Sequence, residues 1–323
     1  MIKKKILVCG ASGFMGRNLV SYFLTKKEYE VHGAALKRIN PDLEDDYFHK
    51  VDLTLKKDIE ELFEKHKFDV IVQAAANTSG SKDIVEKPYL HVTDNAVMNS
   101  LLLQACFDYN IQHFVFLSCG VMYNPSRSPV TENDFYMDEG IYERYFGVGW
   151  TKVYVEKMCE FYAGLGKTRH TVVRHSNTYG PHDKYDLEKS HMFGATITKV
   201  MTAKDGDDIV VWGDGSTERD LLYVDDVVSF VEKAIDKQEE KYGLYNVGYG
   251  SSFSVKEIVE KIIKISGKDV TISHDLTKPS INTKLALISD KAKEELGWEA
   301  QTPLEEGIEK TIQWYEKNIQ GEK

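Results

Sequence analysis

No apolar run in this 323-residue chain is long enough to cross a bilayer, so a membrane span is not expected. The opening MIKKKILVCGASGFMG places basic residues before an apolar run and superficially suggests a secretory leader. That run is too short and is broken by glycines, so a buried first strand is expected instead. Cysteine is scarce: Cys9, Cys106, Cys119 and Cys159 lack disulfide or metal-ligand spacing. Reduced thiols in a cytoplasm are expected, and no metal site. Excess positive charge is missing too. A net charge of −10 and a sequence pI near 5.5 argue against a nucleic-acid surface, though not against a local basic pocket. Internal repeats and low-complexity linkers are also missing. What remains is 42% hydrophobic and 28% charged, the composition of an ordinary globular protein. The length suits one large α/β unit or two lobes sharing a cleft.

Short β-rich apolar runs alternate with helical patterns. KKILVCG, YEVHGAAL, FDVIVQAAA, HFVFLSC and HTVVRHS read as buried strands, with LVSYFL, IEELFEKH, NAVMNSLLLQACF and the segment around Lys152 between them. Continuous rather than alternating apolar strands predict a parallel sheet covered on both faces, hence a doubly wound Rossmann fold. A dinucleotide-binding domain is expected over 1–178. Residues 179–323 read as a smaller, partly interleaved substrate lobe whose elements around 220–250 return to the first domain. The stretches 95–107 and 150–165 are apolar over more than one face. Such faces suit a homodimer, or equally burial within one chain.

Cys9-Gly10-Ala11-Ser12-Gly13-Phe14-Met15-Gly16 follows the first strand and opens a helix. Gly10 permits a tight turn, Gly13 lets backbone approach a pyrophosphate, and Gly16 allows close helix–sheet packing. The helix N-terminus offers free N–H groups to that anion. The second strand ends VHGAALKR, without the carboxylate that usually binds a ribose 2′-hydroxyl. Lys37 and Arg38 would attract a 2′-phosphate, which favours NADP(H) over NAD(H); the other reading is a solvated basic loop. Asp52 in VDLT is placed to accept from an adenine amino group, with Leu53 beside it.

The pattern resembles the extended short-chain dehydrogenase/reductases, also called the NAD-dependent epimerase/dehydratase family. GASGFMG, VDLT, DVIVQAAA, the Asn95 helix, FLSCGVMY, Lys152, NTYGP, RDLLYVDDVV and LGW carry it over nearly the whole chain. GPHDKYDLEKSH followed by IVVWGDGSTERD is most similar to the GDP-fucose synthase-like enzymes. That resemblance implies NADP(H)-dependent chemistry at C4 of a nucleotide-activated sugar. It also assigns Ala74, Ala75, Ala76, Asn95, Leu117, Lys152, His175 and Asn177 to the cofactor. Lys199, Trp212, Arg219 and Asn177 fall on substrate positions, Arg219 as the grip on a diphosphate.

The catalytic helix departs from the family pattern Tyr-x-x-x-Lys. Aligned on Lys152, the tyrosine position is Val148. The supporting Ser/Thr position is Cys119, and the cysteine serving epimerisation falls on Val121. Lys152 and His191 are retained. Lys152 can still hold ribose hydroxyls. His191 is the leading replacement acid or base, beside a water held by Lys152 and Cys119. Tyr145, about two helical turns before Lys152, reads as an aromatic lid unless the helix start distorts. His182 and His175 are expected in backbone or cofactor-edge roles. The expected function is an NADP(H)-dependent nucleotide-sugar reductase, epimerase or dehydratase; the alternatives are a binding protein that keeps the sites without catalysis and a different reaction that needs no phenolic acid.

Overall fold

The computed structural model describes residues 3–78, 86–125, 127–187, 190–277 and 284–321. Its centre is a parallel sheet of strands β1 (Lys4–Cys9), β2 (Tyr29–Ala35), β3 (Phe48–Lys50), β4 (Val70–Gln73), β5 (His113–Cys119), β6 (Arg169–His175) and, from the distal half of the chain, β11 (Tyr242–Val247). Their order is β3-β2-β1-β4-β5-β6-β11. The direction of winding reverses between β1 and β4, and in such sheets ligands bind outside the carboxyl ends of the strands at that switch.

Alternate residues of each strand feed opposite cores, because the side-chain period of a strand is two. Ile6, Val8, Val31, Val72 and Val115 face one layer, with α1 (Phe14–Leu24), α6 (Val224–Lys237) and the fully buried Trp298. Leu7, Cys9, Ala34, Ile71 and Phe116 face the other, formed by α2 (Lys56–Lys65), α3 (Thr93–Asp108) and α4 (Phe146–Gly164). Burial on both faces explains why these strands read as continuous apolar runs.

A third core belongs to the distal lobe. There α5 (Met192–Thr202), α7 (Val255–Ser266) and α9 (Leu304–Tyr315) pack with β8 (Asp208–Trp212), itself paired in parallel with β13 (Thr271–Asp275). Helix α7 starts where its sequence says it should: Ser254 and Glu257 form a reciprocal capping box, and Gly267 closes the helix in the left-handed conformation. Two short ribbons stitch the lobe to the sheet's end. One pairs β7 (Asn177–Tyr179) with β10 (Leu221–Tyr223), the other β9 (Glu218–Arg219) with β12 (Phe253–Ser254). Between α7 and α9 lies the short helix α8 (Asp290–Leu296), capped by Gly297. Among the described residues no helix is long and apolar enough to cross a membrane, and the four cysteines are unpaired.

Candidate active site

The glycine turn has the shape a pyrophosphate needs. Gly10 has φ +77°, and a Cβ there would lie 2.7 Å from the backbone of Ala75. A Cβ on Gly16 would lie 2.1 Å from the Gly10 carbonyl. Gly13 caps α1 in extended conformation without a side-chain cap, and the first turn, which includes Phe14 and Met15, has no acidic residue. The first N–H groups of α1 are therefore left for an anion. Ser12 Oγ donates to the Arg38 carbonyl, which ties the basic loop to the turn. Lys37 and Arg38 are both exposed there. Asn40, fully buried, donates from Nδ2 to the Ala11 carbonyl at 2.8 Å. Sequence reasoning missed this second tie; an Asn-Pro step after the basic pair was its only signal. Asp52 spends Oδ1 on its own turn, accepting from the Thr54 amide at 2.9 Å and hydroxyl at 2.7 Å, while Leu53 is buried.

The loop after β4, carrying Ala74, Ala75 and Ala76, is held from α3. Asn95 Oδ1 accepts from the Asn77 amide at 2.8 Å, and Nδ2 donates to the carbonyls of Asn77 and His91. Asn95 thus positions the cofactor-side loop through protein backbone. Gln73, which accepts from the Ala75 amide and donates to Asn99, does the same from the strand end.

Lys152 sits in α4 with Nζ 2.8 Å from the Leu117 carbonyl and 4.7 Å from the centre of the Phe116 ring. Burial pulls its ammonium below the usual lysine range, opposed by Cys119 and Glu156. Cys119 and His175 are register partners at the ends of β5 and β6. Burial raises the Cys119 thiol, and Lys152 opposes the shift. His175 Nδ1 lies 2.8 Å from the Ser176 carbonyl, and burial, with Lys152 and His191, lowers the imidazolium to about 4. Its role is that of a neutral donor to backbone. His191 caps α5. It is exposed to solvent, yet the protein atoms packed around it and, with them, Lys184 and His91 hold its pKa below the ordinary histidine value.

Tyr145 closes a short 3₁₀ turn directly before α4. Burial raises its phenol, while Arg219 pulls it down and Cys119 pushes it up. Its hydroxyl is therefore coupled electrostatically to the Arg219 guanidinium and the Cys119 thiol. Its side chain is partly buried. Arg219 donates to the Glu218 carbonyl at 2.8 Å, and burial lowers its pKa. The adjacent Asp220 carboxylate accepts from the amides of Tyr249, Gly250 and Leu287. Asn177 donates to the Asp220 carbonyl at 3.2 Å. Lys199 donates to the Val210 carbonyl at 2.8 Å, and Trp212, two residues along β8, is half-exposed. His182 stands apart against the Trp314 ring with φ +68°.

Val148 lines a small cavity of about 10 Å³ with Lys152, Thr151, Asn95, Asn99 and His91. Such a space holds about one water. His91, 4% exposed, has Nε2 buried without a partner among the described residues. Beneath the site runs a buried polar chain that the sequence did not announce. Ser118 donates to Glu156 at 2.6 Å, Arg174 pairs with Glu156 at 2.7 Å and donates to Tyr123 at 2.8 Å, and Tyr123 donates to Asn246 at 2.6 Å. Burying this ion pair is tolerable because each partner is also hydrogen-bonded.

A sheet of order 3-2-1-4-5-6, a glycine cradle at its switch point and a lysine fastened at the end of β5 define an enzyme that uses a nicotinamide dinucleotide. The chain belongs to the NAD dependent epimerase/dehydratase family, whose profile matches residues 6–248. It is 29% identical over 319 residues to GDP-L-colitose synthase of Yersinia pseudotuberculosis, covering 97% of this chain and 99% of that one. GDP-L-fucose synthase of Escherichia coli K12 is 25% identical over 331 residues, covering 98% of each. Among solved structures, UDP-glucose 4-epimerase of Thermotoga maritima with UDP-glucose superposes with a TM-score of 0.85 at 26% identity, covering 98% of this chain and 99% of that one.

Proposed function

We propose that the protein is an NADP(H)-dependent enzyme acting at C4 of a nucleotide-activated sugar, a GDP-sugar by preference, with a proton donor other than the usual helix tyrosine. The observation that supports this reading is Val148 beside Lys152: the Lys152 amine lies at the Leu117 carbonyl, and an aliphatic side chain stands where the family pattern has its proton-carrying tyrosine. The cofactor supplies or accepts a hydride; the residues of this chain hold it and manage one proton. Gly10, Gly13, Gly16 and the N-terminus of α1 would hold its pyrophosphate. Lys37 and Arg38 would hold a 2′-phosphate, Asp52 would face the adenine, and Lys152 would hold the nicotinamide ribose. Residues 1–178 carry these tasks in this reading, and the lobe after them carries the substrate.

Arg219 would grip the diphosphate, with Lys199, Trp212 and Asn177 around the nucleotide and sugar. The full-length likeness to two enzymes named for GDP-sugars supports the base assignment. His191, or a water between Lys152 and Cys119, would carry the proton. Tyr145 is a second candidate donor: it directly precedes α4, and its phenol is coupled electrostatically to Cys119 and Arg219. A homodimer built on α3 and α4 is also proposed, because Val97, Tyr154 and Phe161 are exposed on those helices. Turnover of a panel of 4-keto and 4-hydroxy GDP-, UDP- and dTDP-sugars, followed by nicotinamide absorbance and product NMR, tests the reading. Consumption of a GDP-sugar with NADPH supports it. No turnover of any sugar, together with tight binding of GDP-sugar and dinucleotide, would establish a binding protein instead.

A further inference from the structure

Three histidines lie together at the β2–β3 edge of the sheet, on residues that have no part in the glycine turn or the Lys152 helix. His32 is on β2, His49 on β3, and His66 is the residue that ends α2. One ring nitrogen from each lies within 4.8 Å of the others. His32 Nδ1 is 3.0 Å from His49 Nε2. The His49 and His66 rings are 4.5 Å apart between centres.

The hydrogen-bond arrangement around these rings is that of a ligand set. On its far side, His32 Nε2 is 3.0 Å from Glu30 Oε1, and Glu30 is held in turn by Lys5 at 2.9 Å. A carboxylate accepting from Nε2–H fixes the tautomer and leaves the Nδ1 lone pair aimed at the other two rings. Metal-binding histidines use this outer-sphere device. One proton shared between His32 and His49 would satisfy that pair. It would do nothing for His66, whose Nε2 is buried without a partner among the described residues. A cation satisfies all three. Zinc–imidazole bonds of about 2.0–2.1 Å in a tetrahedral centre place ligand nitrogens about 3.3 Å apart. His32 and His49 already stand near that separation, and His66 closes it by a small side-chain rotation.

We propose that His32, His49 and His66 form a site for one divalent transition metal of the zinc class, with Glu30 as outer-sphere acceptor. Three neutral imidazoles suit zinc, cobalt or copper and not calcium or magnesium. His49 and His66 are half-buried, so solvent supplies the fourth ligand. The metal would join β2, β3 and the end of α2. Strand β3 has three residues and pairs along β2. A short edge strand of this kind gains much from a clasp. The chain runs from β3 directly into Asp52 and Leu53, so the clasp would also steady the adenine end of the dinucleotide cleft. No local Cys/His spacing announces it, because the three residues come from separate elements.

The test is cobalt and zinc binding to the tag-free, metal-stripped full chain. One Co²⁺ per chain is expected, with the intense visible bands of a tetrahedral centre, displaced by Zn²⁺. The melting temperature should rise with Zn²⁺ concentration. His66→Ala and His49→Gln should abolish the bands while circular dichroism stays unchanged. Glu30→Gln should weaken affinity by about 10–100-fold and keep the bands. Absence of tetrahedral bands in the wild type, or bands unchanged in His66→Ala, would overturn the proposal. His66 ends a surface helix, so that variant reports on the site even if His49→Gln does not fold.

Discussion

Lys152 donates from Nζ to the carbonyl of Leu117 at 2.8 Å, so an ammonium joins helix α4 to the carboxyl end of β5. In the proposed reading the same amine holds the nicotinamide ribose. Lys152→Met should therefore weaken dinucleotide binding by about 1.5–3 kcal/mol, the range for a hydrogen bond to a charged group. Calorimetric titration checks this. The affinity for a nucleotide diphosphate alone should stay as in the wild type.

Lys37 and Arg38 are exposed, and the Arg38 backbone is tied to the turn by Ser12. The wild type should bind NADP(H) more tightly than NAD(H), and a Lys37→Ala, Arg38→Ala double variant should lose that preference. Equal affinities in the wild type would show the pair to be a solvated loop.

Arg219→Ala should cost about 1.5–3 kcal/mol in nucleotide-diphosphate binding and leave cofactor affinity almost unchanged. Because Arg219 also lowers the Tyr145 phenol, the variant should raise that phenol's titration, seen in ultraviolet difference spectra.

His191 and Tyr145 make opposite predictions for the pH profile of reduction. An imidazolium donor held below the ordinary histidine value is deprotonated as pH rises through that lowered value, so the rate should fall across acid to neutral pH. A phenol held above its ordinary value stays protonated, so the rate should stay level until strongly alkaline pH. The corresponding variant, His191→Ala or Tyr145→Phe, should lose about 10²–10⁴-fold in turnover. The other should lose little.

His170 offers a stability test away from the site. It is fully buried, neither ring nitrogen has a partner among the described residues, and burial lowers its pKa from 6.5 to about 4. Between those values the unfolded chain holds a proton that the fold does not, so stability is lost as pH falls. Asp183 and Asp220, each raised to about 6, act in the opposite sense. The difference between variant and wild type is therefore the readout. His170→Phe should flatten the slope of unfolding free energy by up to about 1.4 kcal/mol per pH unit in this window.

Much of this was legible in the chain. Ile6 to Cys9 and His113 to Leu117 read as buried strands because both of their faces are covered. Gly10 and Gly16 read as a cradle because a Cβ at either would collide with backbone. What stayed hidden depends on contacts far apart in sequence. Glu156 and Arg174 look like ordinary helix and strand charges until the fold stacks them under Ser118 and Tyr123. Asn95 reads as a cofactor residue, and its hold on the Asn77 and His91 backbone is a contact that the sequence does not show. Tyr145 reads as a lid or, if the helix start distorts, as an inward group, and the 3₁₀ turn that it closes before α4 is not legible in the sequence.

The cavity beside Val148 bears on how such a site changes over evolutionary time. A space of about 10 Å³ admits about one water. Thr151, Val155 and Ala76 line that space, and Val148 itself is only partly buried. A proton carrier at such a place need not be a side chain: one water held beside Lys152 and His91 would leave position 148 free to drift among aliphatic residues.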